Sequence, residues 1–215
     1  MPPPSAPTLS RQDTRNSQGD VVSGPRTGSA VALTFHGAGS AADTRAVLAE
    51  LAAHSVRVSV FAVGTWLESE PTLARAVLDG GHELGNHTYR HLAMRTLGPA
   101  EALSEVARCA AVLRRLTGSA GPWFRPSGTP TSNATIRAAA RRSGYPVCVS
   151  YDVDSRDWTD PGAAAVTATV LRLTRPGSIV SMHLGHPGTV TALPAVLAGL
   201  AARSFHPVDL RTLLT

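Results

Sequence analysis

The sequence predicts an α/β fold whose parallel strands close into a barrel. Short apolar runs alternate with helical patterns along nearly the whole chain, which is the signature of right-handed βαβ units. Polar residues with chemical potential fall just after several different runs: His36, His87, Arg125, the stretch from Asp152 to Asp157, and His183. An open sheet gathers its site at one crevice between two strands, whereas a closed barrel brings all its strand ends to one mouth, so five contributing ends suit closure. A length of 215 residues fits one domain with a substantial core.

Residues 1–30 are rich in Pro, Ser, Thr, Gly and Gln and have no apolar signal core. They are expected to be a flexible lead to a domain over 31–215. A β-type run at 31–35 ends in His36-Gly37, and a helix follows at 43–54 with Asp43 as its cap. A strand at 58–63 leads to a helix at 67–79 that Gly80 and Gly81 stop, and residues 82–86 run on into Gly85–His91. A long helix at 98–117 places Leu103, Val106, Ala110 and Leu113 on one face. Residues 123–125 are extended, 126–130 form a turn, and 133–143 are helical. Strands at 147–151, 179–182 and 205–208 alternate with helices at 163–173 and 193–202.

The composition, 43% hydrophobic and 16% charged, is that of a globular chain. No apolar run approaches the roughly 18 residues of a membrane span. The net charge is +5 and every basic residue is arginine, but the arginines are scattered and only 5% of residues are aromatic. That argues against nucleic-acid binding and leaves affinity for an anionic surface such as a cell wall. Cys109 and Cys148 read as buried small hydrophobes rather than a disulfide pair. A monomer is expected. The compartment is left open: extracellular or wall-associated if an export signal was removed, otherwise cytoplasmic.

Five segments carry chemistry. His87 and His91, four apart beside a glycine, can aim both imidazoles at one point, as transition-metal ligands do, although two ligands alone do not make a site. Asp152, Asp154 and Asp157 bunch after an apolar strand, with Trp158 adjacent, which suits a sugar site with a flat apolar face and polar anchors. His183 ends an apolar strand, where it can act as an acid. Arg125 can orient a carboxylate, and the turn Pro126–Gly128 can offer a backbone N–H. His36, at a strand end beside Gly37, has little structural purpose and points to function.

Taken in order, these segments resemble the polysaccharide deacetylases, the NodB-type domain of carbohydrate esterase family 4, from about Val31 to Leu214. His87-Thr88-Tyr89-Arg90-His91 looks like the family's metal-binding histidine motif, in which Ser or Thr follows the first histidine, and Arg125–Gly128 looks like the arginine-proline motif. Asp154–Trp158 resembles D-x-x-D-W, and 179–183 resembles the late strand that ends in histidine. The resemblance implies a distorted (β/α) barrel. It also implies a metal-dependent hydrolase that removes N-acetyl, or sometimes O-acetyl, groups from a carbohydrate or cell-wall polysaccharide. The implied cofactor is a divalent metal, zinc above all, and the implied partner is an acetylated glycan. Carried over, His87 and His91 are metal ligands, His183 is the acid, Asp157 orients it, and Arg125 supports the base. Trp158 and Gly128 meet the substrate.

The departure lies in the first motif. The family reads T-F-D-D-G with one Asp as base and the next as metal ligand, whereas this chain reads Thr34-Phe35-His36-Gly37-Ala38. Three consequences compete. His36 replaces the base; or His36 joins His87 and His91 on the metal; or the site is dead and the fold persists as a glycan-binding module. Retention of the other motifs favours working chemistry. The ligand role for His36 is preferred, because two histidines hold zinc poorly and an arginine has less purpose beside a neutral histidine than beside a carboxylate.

Overall fold

The structure is a computed structural model that describes residues 14–215. Its elements are β1 (Thr14–Arg15), β2 (Val21–Ser23), β3 (Ala30–Gly37), α1 (Ala41–Ala53), β4 (Ser59–Ala62), α2 (Gly64–Ser69), α3 (Pro71–Asp79) and β5 (Glu83–Asn86). There follow α4 (Pro99–Thr117), α5 (Ala134–Arg142), β6 (Val153–Asp154), α6 (Ala163–Leu173), β7 (Ile179–His183), α7 (Pro187–Ala202), β8 (His206–Val208) and α8 (Leu210–Leu214). The helix ends follow local chemistry. Ser40, not the expected Asp43, caps α1 by accepting from the Asp43 amide, Asn133 accepts from Ile136 to cap α5, and Pro71, Pro99 and Pro187 open α3, α4 and α7. Gly118, at φ 80°, closes α4 in the left-handed conformation.

The main sheet is parallel in the order β5-β4-β3-β7-β6, with β8 also paired to β3. Single bridges close it into a distorted barrel. Asn86 pairs with Phe124, the Val149 amide donates to the Phe124 carbonyl, and the 148–150 run continues into β6. The layer between the sheet and its helices is apolar and includes Leu33, Phe35, Val60, Val180 and Met182, whereas the opposite face of the strands also buries Thr34, Ser59, Ser181 and Arg125. Cys109 and Cys148 are free and buried, and burial pushes both thiols up to about 12. No helix among the described residues is long and apolar enough to cross a membrane.

Three expectations are corrected. The helix expected over 67–79 is two helices, α2 and α3, because Pro71 cannot donate to a continuing helix and biases Glu70 out of helical geometry. The strand expected over 147–151 is a single bridge at Val149, and the ladder resumes at β6. Part of the reason is that the Val149 and Ser150 carbonyls are taken by the Arg125 guanidinium. The lead expected to be flexible over 1–30 is folded from residue 14 onward, while residues 1–13 lie outside the described residues. β1 and β2 form a hairpin, Val21 is buried and bonded to both Cys148 and Ser150, and the Asp20 carboxylate accepts from the Ser132 amide and hydroxyl.

Candidate active site

The carboxyl ends of β3, β5 and β7, the Arg125 segment and the loop around β6 converge on one mouth. A pocket of about 200 Å³ there is lined by His36, His87, His91, His183 and His186, five of the chain's eight histidines. It opens into a groove of about 640 Å³, walled by Pro126, Gly128, Thr129, Pro130, Tyr151, Asp154 and Trp158. Trp158 is 51% exposed and offers a flat apolar face on the rim.

His87 is buried at the end of β5. Its Nδ1–H donates to the Arg125 carbonyl at 2.9 Å, which fixes the tautomer, and its buried Nε2 has no partner among the described residues. Burial, then the neighbouring His91, holds this imidazole well below the usual histidine range. His91 stands beside it with ring centroids 4.9 Å apart. Burial, then His183, lowers it too.

Opposite stands a hydrogen-bonded chain of four side chains. Arg125 is buried. Its Nη1 donates to Thr34 Oγ1 at 2.9 Å and to His36 Nε2 at 3.1 Å, and its other nitrogens donate to the Val149 and Ser150 carbonyls. Arginine has no acceptor, so His36 Nε2 carries the lone pair and His36 Nδ1 carries the proton. That proton donates to His183 Nε2 at 2.9 Å, and His183 Nδ1–H donates to Asp157 Oδ1 at 2.7 Å. Asp157 also accepts from the His183 amide and from Thr189 Oγ1. Burial pulls the Asp157 carboxyl upward, but the bonds from His183 and Thr189 outweigh it and leave it below the usual aspartate range. Burial, then His87 and Arg125, holds His36 neutral, well below the usual histidine range. Among the described residues Arg125 has no carboxylate partner, and burial pulls it down to about 9.

The site residues expected from sequence, His36, His87, His91, Arg125, Asp157, Trp158, Gly128 and His183, all meet here, but their wiring differs from expectation. His36 stacks on His87 at 4.3 Å yet has both ring nitrogens engaged, so it offers a metal no free lone pair. Arg125 does sit beside a neutral histidine, the arrangement expected to have less purpose. Gly37 adds no donor, and a Cβ there would lie 2.9 Å from Trp66 Cζ3. Among the described residues, no three His, Cys, Asp or Glu side chains form a group that could hold a metal. The orphaned Nε2 of His87 does fit a cation, so the residues present fit one as a pair, His87 with His91.

Of the three clustered aspartates, only Asp157 reaches the relay. Asp154 lines the groove, while Asp152 binds the Ile179 amide, Ser178 and Arg26 away from it. Gly128, at φ 64°, turns where a Cβ would sit 2.9 Å from Ala93 Cα, so backbone forms that part of the wall. Sequence reasoning missed Tyr151, His186 and Thr189. The spacing of His186 from His183 was the one available signal. Thr189 and Tyr151 gave none, since ordinary helix and strand residues look the same.

The sequence profile described as "Polysaccharide deacetylase" matches residues 23–148. A chitooligosaccharide deacetylase from Bradyrhizobium sp. (strain ANU 289) is 32% identical over 210 residues, covering 90% of this chain and 94% of that one. A peptidoglycan-N-acetylglucosamine deacetylase from Bacillus cereus is 29% identical, covering 88% of this chain and 70% of that one. Among solved structures, a family 4 carbohydrate esterase from Streptomyces lividans in complex with acetate superposes with a TM-score of 0.76 at 32% identity, over 83% of this chain and 91% of that one. A family 4 pseudoenzyme from Bacillus anthracis superposes with a TM-score of 0.86 at 25% identity, over 93% and 70%.

Proposed function

Since this chain belongs to the polysaccharide deacetylase family, we propose that it hydrolyses the acetamide of N-acetylglucosamine units in a chitin- or peptidoglycan-type glycan, with His183 as the group that moves the proton. The observation that carries this reading is the Asp157–His183 pair: the His183 Nε2 faces the pocket and, among the described residues, meets another imidazole, that of His36. The groove beside it has a tryptophan face and the Asp154 carboxylate, the anchors a pyranose ring needs.

Zinc, held by His87 and His91, would supply positive charge to the acetyl carbonyl and the attacking water. The base nitrogen of His36 is sealed by Arg125, so His36 is a positioning group rather than the base. His183 Nε2, once substrate and water part it from His36, takes the proton of the attacking water. Asp157 stabilises the imidazolium that results. The same proton then passes to the leaving amine as the C–N bond breaks, releasing acetate and a free amino sugar. The bound Arg125 keeps His36 neutral and its Nδ1–H directed at the pocket.

Acetate release from acetylated chito-oligosaccharides and from peptidoglycan, with zinc and with chelator, tests this. Turnover that chelator abolishes and zinc restores is the expected result; no acetate from either substrate overturns it. A second reading, a glycan-binding relative without turnover, is favoured by the absence of a donor at Gly37 and by likeness to the pseudoenzyme. It predicts glycan binding that survives loss of His183.

A further inference from the structure

The loop that carries both histidines is held in an unfavourable backbone shape. Thr88 and His91 have φ of 69° and 59°, the left-handed region that side chains, a β-branched one above all, seldom adopt. Something outside the loop must over-determine that shape. Three consecutive amides are claimed by side-chain oxygens. Thr88 N donates to Asn86 Oδ1 at 2.9 Å, while Tyr89 N and Arg90 N both donate to Glu105 Oε2, at 3.1 and 2.7 Å. Glu105 Oε1 accepts from Arg90 Nε at 2.7 Å. Glu105 is fully buried on α4, and the next residue's carbonyl, Val106, accepts from Asn86 Nδ2 at 2.9 Å. One turn of α4 thus grips the chain on both sides of His87.

We propose that Glu105 is a positioning residue for the His87–His91 pair: its carboxylate fixes two of the three amides between the histidines, those of Tyr89 and Arg90, and so sets the separation at which both imidazoles meet a cation. A buried carboxylate needs compensation, and a lone partner in Arg90, 45% exposed, is a weak reason to bury one. Two short bonds to strained backbone are a better reason. The proposal rests on the reading of His87 and His91 as a zinc pair.

The test is zinc affinity by calorimetry in Glu105→Met, Glu105→Gln and Val106→Ala. Met keeps volume and helix propensity but has no oxygen for the amides, and zinc should bind about 10–100-fold more weakly, the size of effect expected when a supporting partner of a ligand is lost. Gln retains one oxygen for the two amides and should fall well short of that loss. Val106→Ala should lower Tm without moving zinc affinity, which separates positioning from general stability of α4. Zinc binding by a folded Glu105→Met at parental strength overturns the proposal. If Glu105→Met does not fold, amide exchange in the parent decides: the Tyr89 and Arg90 amides exchanging as slowly as those inside α4 support it, and fast exchange at both overturns it. A parent that binds no zinc overturns the two-histidine reading instead, and slow exchange at those amides still shows Glu105 holding the loop.

Discussion

Two faces of the pocket are built by opposite means. The loop after β5 takes an unfavourable backbone path and has nearly every polar group of that path claimed: Asn86 and Glu105 bind its amides, and the Gly64 and Thr65 amides bind the Thr88 and Tyr89 carbonyls. One buried nitrogen, His87 Nε2, is left over. The end of β3 is regular strand, with an unstrained backbone, and its side-chain atoms are the ones consumed. His36 has both nitrogens bonded and Gly37 has none to give. An unspent buried acceptor points to a ligand, whereas a saturated imidazole points to a structural duty. The two faces therefore differ in what they can offer, although each carries a histidine at a strand end.

The sharpest break of that contrast is at the relay. His183→Ala is expected to lower acetate release by about 10²–10⁴-fold, the usual contribution of a positioned acid–base group. Steady-state assay on acetylated chito-oligosaccharides checks it, and a loss below tenfold would remove His183 from the chemistry. His36→Ala comes next. It leaves a buried arginine nitrogen and His183 Nε2 without their partner and should destabilise the fold by about 3 kcal/mol in urea unfolding. Unchanged stability would mean that β3's end is less committed than its bonds imply. Gly37→Ala should cost about 2 kcal/mol by overpacking, because Trp66 is held in place by its Nε1 bond to the Gly39 carbonyl. A neutral result would show room for the side chain that the site lacks.

The smallest effect lies just before β5, far from both faces. His82 is buried with Nδ1 accepting the Val58 amide, and burial, then Arg57, lowers it below the usual 6.5. The unfolded chain therefore takes up the proton first. The stability that neutral His82 contributes is complete above 6.5 and is lost as pH falls from there through the folded value. Thermal unfolding at pH 8 and pH 5.5 should show a smaller acid loss in His82→Gln than in the parent; an equal loss would assign the acid sensitivity to the pocket histidines alone.

Much of this was legible beforehand. The alternation of strands and helices gave the parallel sheet, and polar residues after several strands gave its closure, because side chains at strand ends of a barrel have one mouth to face. His87, His91, Arg125, Asp157 and His183 were legible because each sits in a short motif whose spacing carries over. The hairpin at β1 and β2 was not, because its stability comes from Asp20 and Val21 meeting Ser132 and Cys148, more than a hundred residues away. Glu105 was invisible because a glutamate on a helix reads as solvated face until the loop that it binds is placed above it.

By itself, then, the sequence determined the fold class, the family and the set of side chains at the mouth, since periodicity and motif spacing are local properties of the chain. It could not decide what His36 does. Base and ligand both need a free lone pair, and whether one is free depends on which groups surround the ring. Tertiary structure alone brought Arg125, a pure donor, to Nε2 and His183 to Nδ1, and that pairing fixes the tautomer and leaves His36 neither role.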